Sequence, residues 1–332
     1  MEKPKLIVFD MDGVIVDVSR SYRDTARRTA RLFFNGILSE EDLPDPLFSL
    51  TDLARVKQAG GLNNDWELTY HVLSLLLTKV KMPADGPVQS GWTCHAELLS
   101  LCDVSGLARF LKTTTAPLAE LHNRQPSPDN PWIVRMSEGD VGTGNVIKQI
   151  FQEIYLGGKL FRKTYGIPPD CHPGGGLIDR ETLLIPISIF TSMAEDHLLS
   201  LATGRPRAEA EHALSRFSLE PYFDMIYTLD ECLEEEKNIF EKTGKRTSLS
   251  KPHPFMLDAI ARNFSEKVDE WYYVGDMPDD MMAASRSAYP YIGLGILHST
   301  PDKDALQADL VKAGAADIIS NADGILNYFT SS

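Results

Sequence analysis

The first apolar run of the chain, Leu6-Ile7-Val8-Phe9, stops abruptly at Asp10-Met11-Asp12-Gly13. Two carboxylates one residue apart at the end of a buried strand raise each other's pKa, and a hard divalent cation such as Mg²⁺ is the usual compensation. Gly13 lets the backbone turn without a Cβ penalty, so Asp10 and Asp12 can face one reacting centre. Three later stretches carry complementary chemistry. Leu201-Ala202-Thr203-Gly204-Arg205-Pro206 sets a hydroxyl and a glycine before a helix start, which makes an anion cradle of one O–H donor and free backbone N–H groups. Ser250-Lys251-Pro252-His253-Pro254 offers an ammonium in a proline-fixed loop, suited to neutralising a phosphate oxygen. Val274-Gly275-Asp276-Met277-Pro278-Asp279-Asp280 is a buried-type strand ending in three carboxylates within five residues. Singly, each has a plainer reading: an acidic turn, a Thr-Gly turn, a surface lysine, or an acidic first helical turn favoured by the macrodipole.

The elements that must position these residues fall into two kinds. Apolar runs at 6–10, 197–202, 224–228, 271–275, 291–296 and 317–320 read as strands. Helical patterns at 207–217, 255–263 and 303–313 alternate with them. Such alternation implies a parallel α/β sheet with its site at the carboxyl ends of the strands. Between the first strand and the rest, residues 18–185 are mainly helical: Tyr22, Ala26, Thr29, Ala30 and Phe33 share one face, and Val146, Ile147, Ile150, Phe151 and Ile154 share another. This block is therefore an insertion, residues 18–185, into a sheet domain made of 1–17 and 186–332. The Pro/Gly-rich segment 167–176 reads as a linker, with hinges expected near Val18 and Gly174–Gly176. The acidic stretch 230–245 reads as an extra surface loop. Within the insertion, Asn64, Asp65 and Trp66 precede a helix, and Glu153 and Tyr155 lie off an apolar face. Capping, core packing and solvation compete there with substrate contact.

A chain of 332 residues is long enough for about two domains. Its hydrophobic share of 43% and charged share of 24% are those of a soluble globular protein. A net charge of −14 argues against a general nucleic-acid binder. Cys94, Cys102, Cys171 and Cys232 are scattered without zinc spacing, so reduced thiols in a cytoplasmic setting are expected. No run reaches transmembrane length, and Asp10 interrupts the N-terminal apolar run before it could serve as a signal, so no membrane partner is expected.

Taken in order, Asp10/Asp12 (DxDGV/T), Thr203, Lys251, and Asp276 with Asp280 resemble the four motifs of the haloacid dehalogenase-like (HAD) hydrolases across essentially the whole core. The insertion stands where members with a helical C1-type cap, such as phosphoglycolate phosphatase and β-phosphoglucomutase, carry theirs, and it is longer. The resemblance implies a Rossmann-like parallel sheet with an inserted, mainly α-helical cap. It implies Asp10 as the nucleophile that forms an aspartyl-phosphate, and Asp12 as general acid and then base. Thr203, Gly204 and Lys251 would hold the phosphate. Mg²⁺ would sit on the Asp10 carboxylate, the Asp12 backbone carbonyl and Asp276. Asp280 would bind through water or orient Lys251, with Asp279 as its competitor. Arg205 would extend the anion site or make a structural ion pair. The implied activity is Mg²⁺-dependent hydrolysis of a small-metabolite phosphomonoester, with substrate choice in the insertion. The alternative is a phosphomutase or phosphotransferase in which a sugar hydroxyl replaces water. Haloacid dehalogenation needs no metal-binding acid at Asp12 and Asp276. Phosphonoacetaldehyde hydrolysis lacks an acid at the Asp12 position. A non-catalytic binding protein would be expected to have lost a motif residue. The expected partner is a small phosphorylated metabolite, and a homodimer is left open.

Overall fold

The computed structural model describes residues 3–34, 43–60, 65–83, 96–97, 99–126, 130–298 and 303–330. The chain divides into two compact units, Met1–Asp17 with Thr182–Ser332, and Val18–Glu181.

The first unit is built on a six-stranded sheet. Its strands are β1 (Leu6–Phe9), β4 (Leu198–Ala202), β5 (Met225–Tyr227), β6 (Trp271–Gly275), β7 (Tyr291–Ile296) and β8 (Asp317–Ile319), in the order β5-β4-β1-β6-β7-β8. All neighbours are parallel, so every strand ends at the same edge. A short antiparallel pair, β2 (Val16–Asp17) with β3 (Thr182–Leu183), lies outside it. β1 is apolar throughout because it is buried on both faces. Leu6 and Val8 pack with Leu257, Ile260 and Phe264 of the helix Phe255–Phe264. Phe9, on the opposite face, meets the rings of Phe190 and Phe223 edge-on. The strand order places the switch in chain direction beside β1: β4 and β5 build out on one side, then β6, β7 and β8 on the other. Ligand crevices form at such a point.

Two readings of this unit need correction. The acidic stretch expected as a surface loop is the helix Leu229–Thr243, and Glu231 reaches back to the Thr228 amide to start it. A density of Glu and Lys suits a solvated helix, and of its residues Cys232 is the one that is buried. The helix Ile187–Asp196, which sequence periodicity did not isolate, buries Ile189, Phe190 and Met193.

The helical unit holds Tyr22–Phe33, Leu50–Gly60, Asp65–Leu77, Ser105–Thr113, Pro117–Arg124, Pro131–Met136 and Val146–Tyr165 among its described residues. The last of these kinks at Gly157, whose φ of 71° is open to glycine. The kink admits the 174–176 segment. The Gly158 amide donates to Gly174 O at 2.9 Å, and a Cβ on Gly176 would lie 2.3 Å from the Leu156 carbonyl carbon. Upstream, the buried Glu153 carboxylate accepts the amides of Asp170, Cys171 and His172. The Pro/Gly-rich segment is thus hydrogen-bonded to the helix Val146–Tyr165, and its glycines serve a close backbone approach. No described helix is long and apolar enough to cross a membrane.

His71 Nε2 and His122 Nδ1, from two helices of this unit, stand 3.0 Å apart. Burial, and then His122, hold His71 below its ordinary 6.5. Below that pH the unfolded chain takes up a proton that the folded unit refuses, so stability is full above about pH 6.5 and declines as pH falls. Thermal melting between pH 7.5 and 5.5 should show a falling midpoint, and His71→Asn should reduce that fall relative to the wild type.

Candidate functional site

The site residues of the first unit gather because three strand ends coincide. Phe9 pairs with Leu201 on one side and Val274 on the other, so the residues just beyond them share one edge. The Asp10 amide continues the ladder to Val274 O at 2.9 Å. Asp10 is 5% exposed.

Lys251 is the hinge of the electrostatics. Its ammonium donates to Asp10 Oδ1 at 2.7 Å, Asp280 Oδ1 at 2.7 Å and the Tyr273 hydroxyl at 3.0 Å. All three N–H groups are thereby used. Burial alone would pull Lys251 down, but the two carboxylates hold it well above its ordinary value. Tyr273 donates to Asp280 Oδ1 at 3.0 Å. Asp280 Oδ2 accepts the Met277 amide at 3.0 Å and caps the helix Pro278–Arg286. Both oxygens of Asp280 are therefore engaged within the protein, one of them on Lys251. Asp279, its competitor, is half-buried one position earlier in the same helical turn.

Asp10, Asp276 and Asp280 each present an oxygen within 4.8 Å of the others. Burial first, then the neighbouring carboxylates, raise Asp10 to about 7 against the opposing pull of Lys251. Asp276 is likewise raised well above its ordinary value, burial leading and Asp280 and Asp10 following. One ammonium does not balance three acids. Asp276 Oδ1 is moreover buried with no hydrogen-bond partner. An orphaned carboxylate oxygen beside two other acids, in an all-oxygen donor set, fits a hard divalent cation. The acidic trio could hold a metal ion.

Gly13 makes the approach possible. Its φ is +78°, and a Cβ there would lie 1.9 Å from Asp276 Oδ2. The turn closes through Gly13 N–H to Val16 O and Val16 N–H to Met11 O, both at 2.9 Å. This turn carries Asp12 past the strand end, where Oδ1 accepts from Arg205 Nε at 2.6 Å.

Thr203 is fully buried after β4, and its hydroxyl accepts the Arg205 amide at 3.2 Å. The Arg207 amide is capped by Asp230 Oδ2 at 2.7 Å. Two of the amides that sequence reading offers to an anion are therefore already satisfied. Gly204 is exposed, and nothing lies within 4 Å of where its Cβ would be, so the turn has room for an oxyanion.

The candidates in the insertion have partners of their own. Asp65 pairs with Lys57 at 3.0 Å. Trp66 packs on the helical core with Lys148 Nζ 4.1 Å from its ring centroid. Glu153 binds the 170–172 backbone as described. Tyr155 stacks on Tyr22 at 4.2 Å and donates to Glu181 at 3.0 Å. Asn64 lies outside the described residues. Tyr273 is the site residue that sequence reading missed. Its signal is a phenol inside a strand buried on both faces, where the hydroxyl needs a partner.

Residues 188–294 match the family model of the haloacid dehalogenase-like hydrolases. Over that segment the chain is similar to members of that superfamily. The HAD-like fold extends over the full length of a structural-genomics target of the Northeast Structural Genomics Consortium, with a TM-score of 0.65, 22% identity and 100% of both chains covered. It also superposes on the phosphatase Tt82 from Thermococcus thioreducens, with a TM-score of 0.52, 17% identity, 91% of this chain and 99% of that chain. At these identities the likeness concerns the fold. An imidazoleglycerol-phosphate dehydratase from Phytophthora nicotianae is 34% identical over 124 residues, covering 36% of this HAD-like chain and 24% of its own length.

Gly13→Ala tests the closeness of the acidic trio. The new Cβ must displace Asp276 and adopt a left-handed backbone at a cost of about 1–2 kcal/mol. Since a displacement of ~1 Å at a reacting centre costs on the order of 10²-fold, any turnover that depends on the trio should fall at least that far while circular dichroism stays native.

Proposed function

We propose that the protein is a Mg²⁺-dependent phosphomonoesterase that works through an aspartyl-phosphate on Asp10. The observation that carries this reading is the buried Asp10 carboxylate, held by Lys251 at 2.7 Å beside the unpartnered oxygen of Asp276. Asp10 and Asp276, with the Asp12 backbone carbonyl, would hold the metal, whose charge would offset the phosphoryl oxygens and keep Asp10 ionised. Asp280 would orient Lys251 from the other side. The helical unit is read as a C1-type cap that carries substrate choice.

The chain's own residues then divide the reaction. Thr203, the Gly204 turn and Lys251, which exchanges one of its present contacts for a phosphoryl oxygen, bind the phosphate of a small metabolite. An Asp10 oxygen forms a bond to phosphorus as the ester P–O bond breaks, and the electron pair of that bond goes to the leaving oxygen. Asp12 protonates that oxygen, so an alcohol departs. Asp12, now a carboxylate, takes a proton from water as the water oxygen bonds to phosphorus and the Asp10–phosphorus bond breaks. Inorganic phosphate and the original carboxylate result.

The test is phosphate release from a panel of phosphomonoesters with Mg²⁺ and with EDTA. Turnover should require the metal, and Asp10→Asn should lower it by on the order of 10³-fold or more. The absence of phosphate from every compound would overturn the proposal and favour transfer to a sugar hydroxyl.

A further inference from the structure

The contact between Arg205 and Asp12 has no counterpart in a simple phosphate cradle. Arg205 is 1% exposed, whereas the Asp12 side chain is 32% exposed. A guanidinium buried that completely has been placed there by the backbone around it. Its amide donates to Thr203 Oγ1 at 3.2 Å, and its carbonyl accepts the Leu229 amide at 2.9 Å. The turn after β4 thus fixes both polar groups of the Arg205 backbone and sends the side chain across to the turn after β1. There Nε meets Asp12 Oδ1 at 2.6 Å, a short charge-assisted bond.

We propose that Arg205 is a positioning residue that sets the orientation of Asp12 for protonation of the leaving group. The inference rests on the phosphomonoesterase reading, in which Asp12 moves that proton. A carboxylate turns readily about its χ2 bond. A bond to Oδ1 from a rigid, fully buried fork fixes which way Oδ2 faces. Lysine, a single point donor on a flexible stem, would hold the carboxylate less well. The anion-site role is thereby a secondary one: a side chain that grips Asp12 serves the leaving oxygen more than the transferred phosphoryl group.

The distinguishing property is dependence on the leaving group. Departure of p-nitrophenolate needs almost no proton, whereas phenolate benefits from one. The experiment measures kcat/KM with Mg²⁺ for ring-substituted phenyl phosphates, from phenyl phosphate to p-nitrophenyl phosphate. The proteins are the wild type, Arg205→Met, Arg205→Lys, Asp12→Asn and the Arg205→Met/Asp12→Asn double variant. Because kcat/KM ends at release of the phenol, later hydrolysis of the aspartyl-phosphate does not enter. Arg205→Met should lose about 10²-fold on phenyl phosphate, within the usual worth of general-acid catalysis, and under about 10-fold on p-nitrophenyl phosphate. Arg205→Lys should recover part of the phenyl phosphate loss. The double variant should be no slower than Asp12→Asn alone, because both changes remove the same act. An equal loss on every ester, or losses that add in the double variant, would overturn the assignment and leave Arg205 a phosphate-binding or structural residue. Arg205→Lys keeps the charge and decides the matter if Arg205→Met does not fold: a leaving-group-independent loss in it would also overturn the assignment. Failure of the wild type on all esters would instead overturn the phosphomonoesterase reading, and this inference with it.

Discussion

The fold of the sheet unit has to accommodate one imbalance: a single ammonium, Lys251, among three clustered carboxylates. Its bonds to Asp10 and Asp280 lie at the short end of the range for charged hydrogen bonds. A pair of unit charges ~4 Å apart is worth about 1 kcal/mol in water and about 4 kcal/mol near a protein surface, so burial sharpens both the attraction of Lys251 and the mutual repulsion of the acids. What is left over is negative charge with nowhere to go. The unsatisfied Asp276 oxygen and the absence of a side chain at Gly13 are two sides of that excess: the one invites a cation and the other keeps the way to it clear.

Such a cluster cannot be assembled locally. Lys251 is 241 positions from Asp10, and the distance is bridged by parallel pairing with β1 at the centre. Parallel strands bring all their ends to one edge. Turns that follow different strands can then exchange side chains, as Arg205 does with Asp12 and Lys251 with Asp10. Tyr273 adds a neutral anchor from within the sheet, so that the lysine is held from below as well as from the flanks.

The strands were legible in the sequence because burial on both faces leaves a continuous apolar run, and carboxylates interrupting such runs were legible as chemistry. Asp10, Lys251, Asp276 and Asp280 are accordingly found together. Contacts chosen by distant geometry were not legible. Nothing local tells that Arg205 grips Asp12, that Tyr273 reaches Lys251, or that the Asp230 side chain takes an amide from the anion turn. Gly157, Gly158, Gly174 and Gly176 permit two backbones to touch, an outcome that depends on which segment lies opposite. The acidic stretch 230–245 has polar residues on most sides, so its helix, with one buried residue, left little amphipathic trace.

The β2–β3 pairing bears on how a sheet can carry an insertion of this length. Asp17 is paired with Thr182, and the Leu184 amide donates to Ile15 O at 2.8 Å. The excursion from 18 to 181 therefore begins and ends at neighbouring residues of one small ladder. With its ends already joined, the length of what lies between matters little to the sheet: each doubling of a flexible loop adds only about 0.6 kcal/mol of closure entropy. Drift in the size and sequence of the inserted unit is thereby uncoupled from the geometry of the carboxylate cluster. A lineage can exchange or enlarge its insertion while inheriting the same reactive edge.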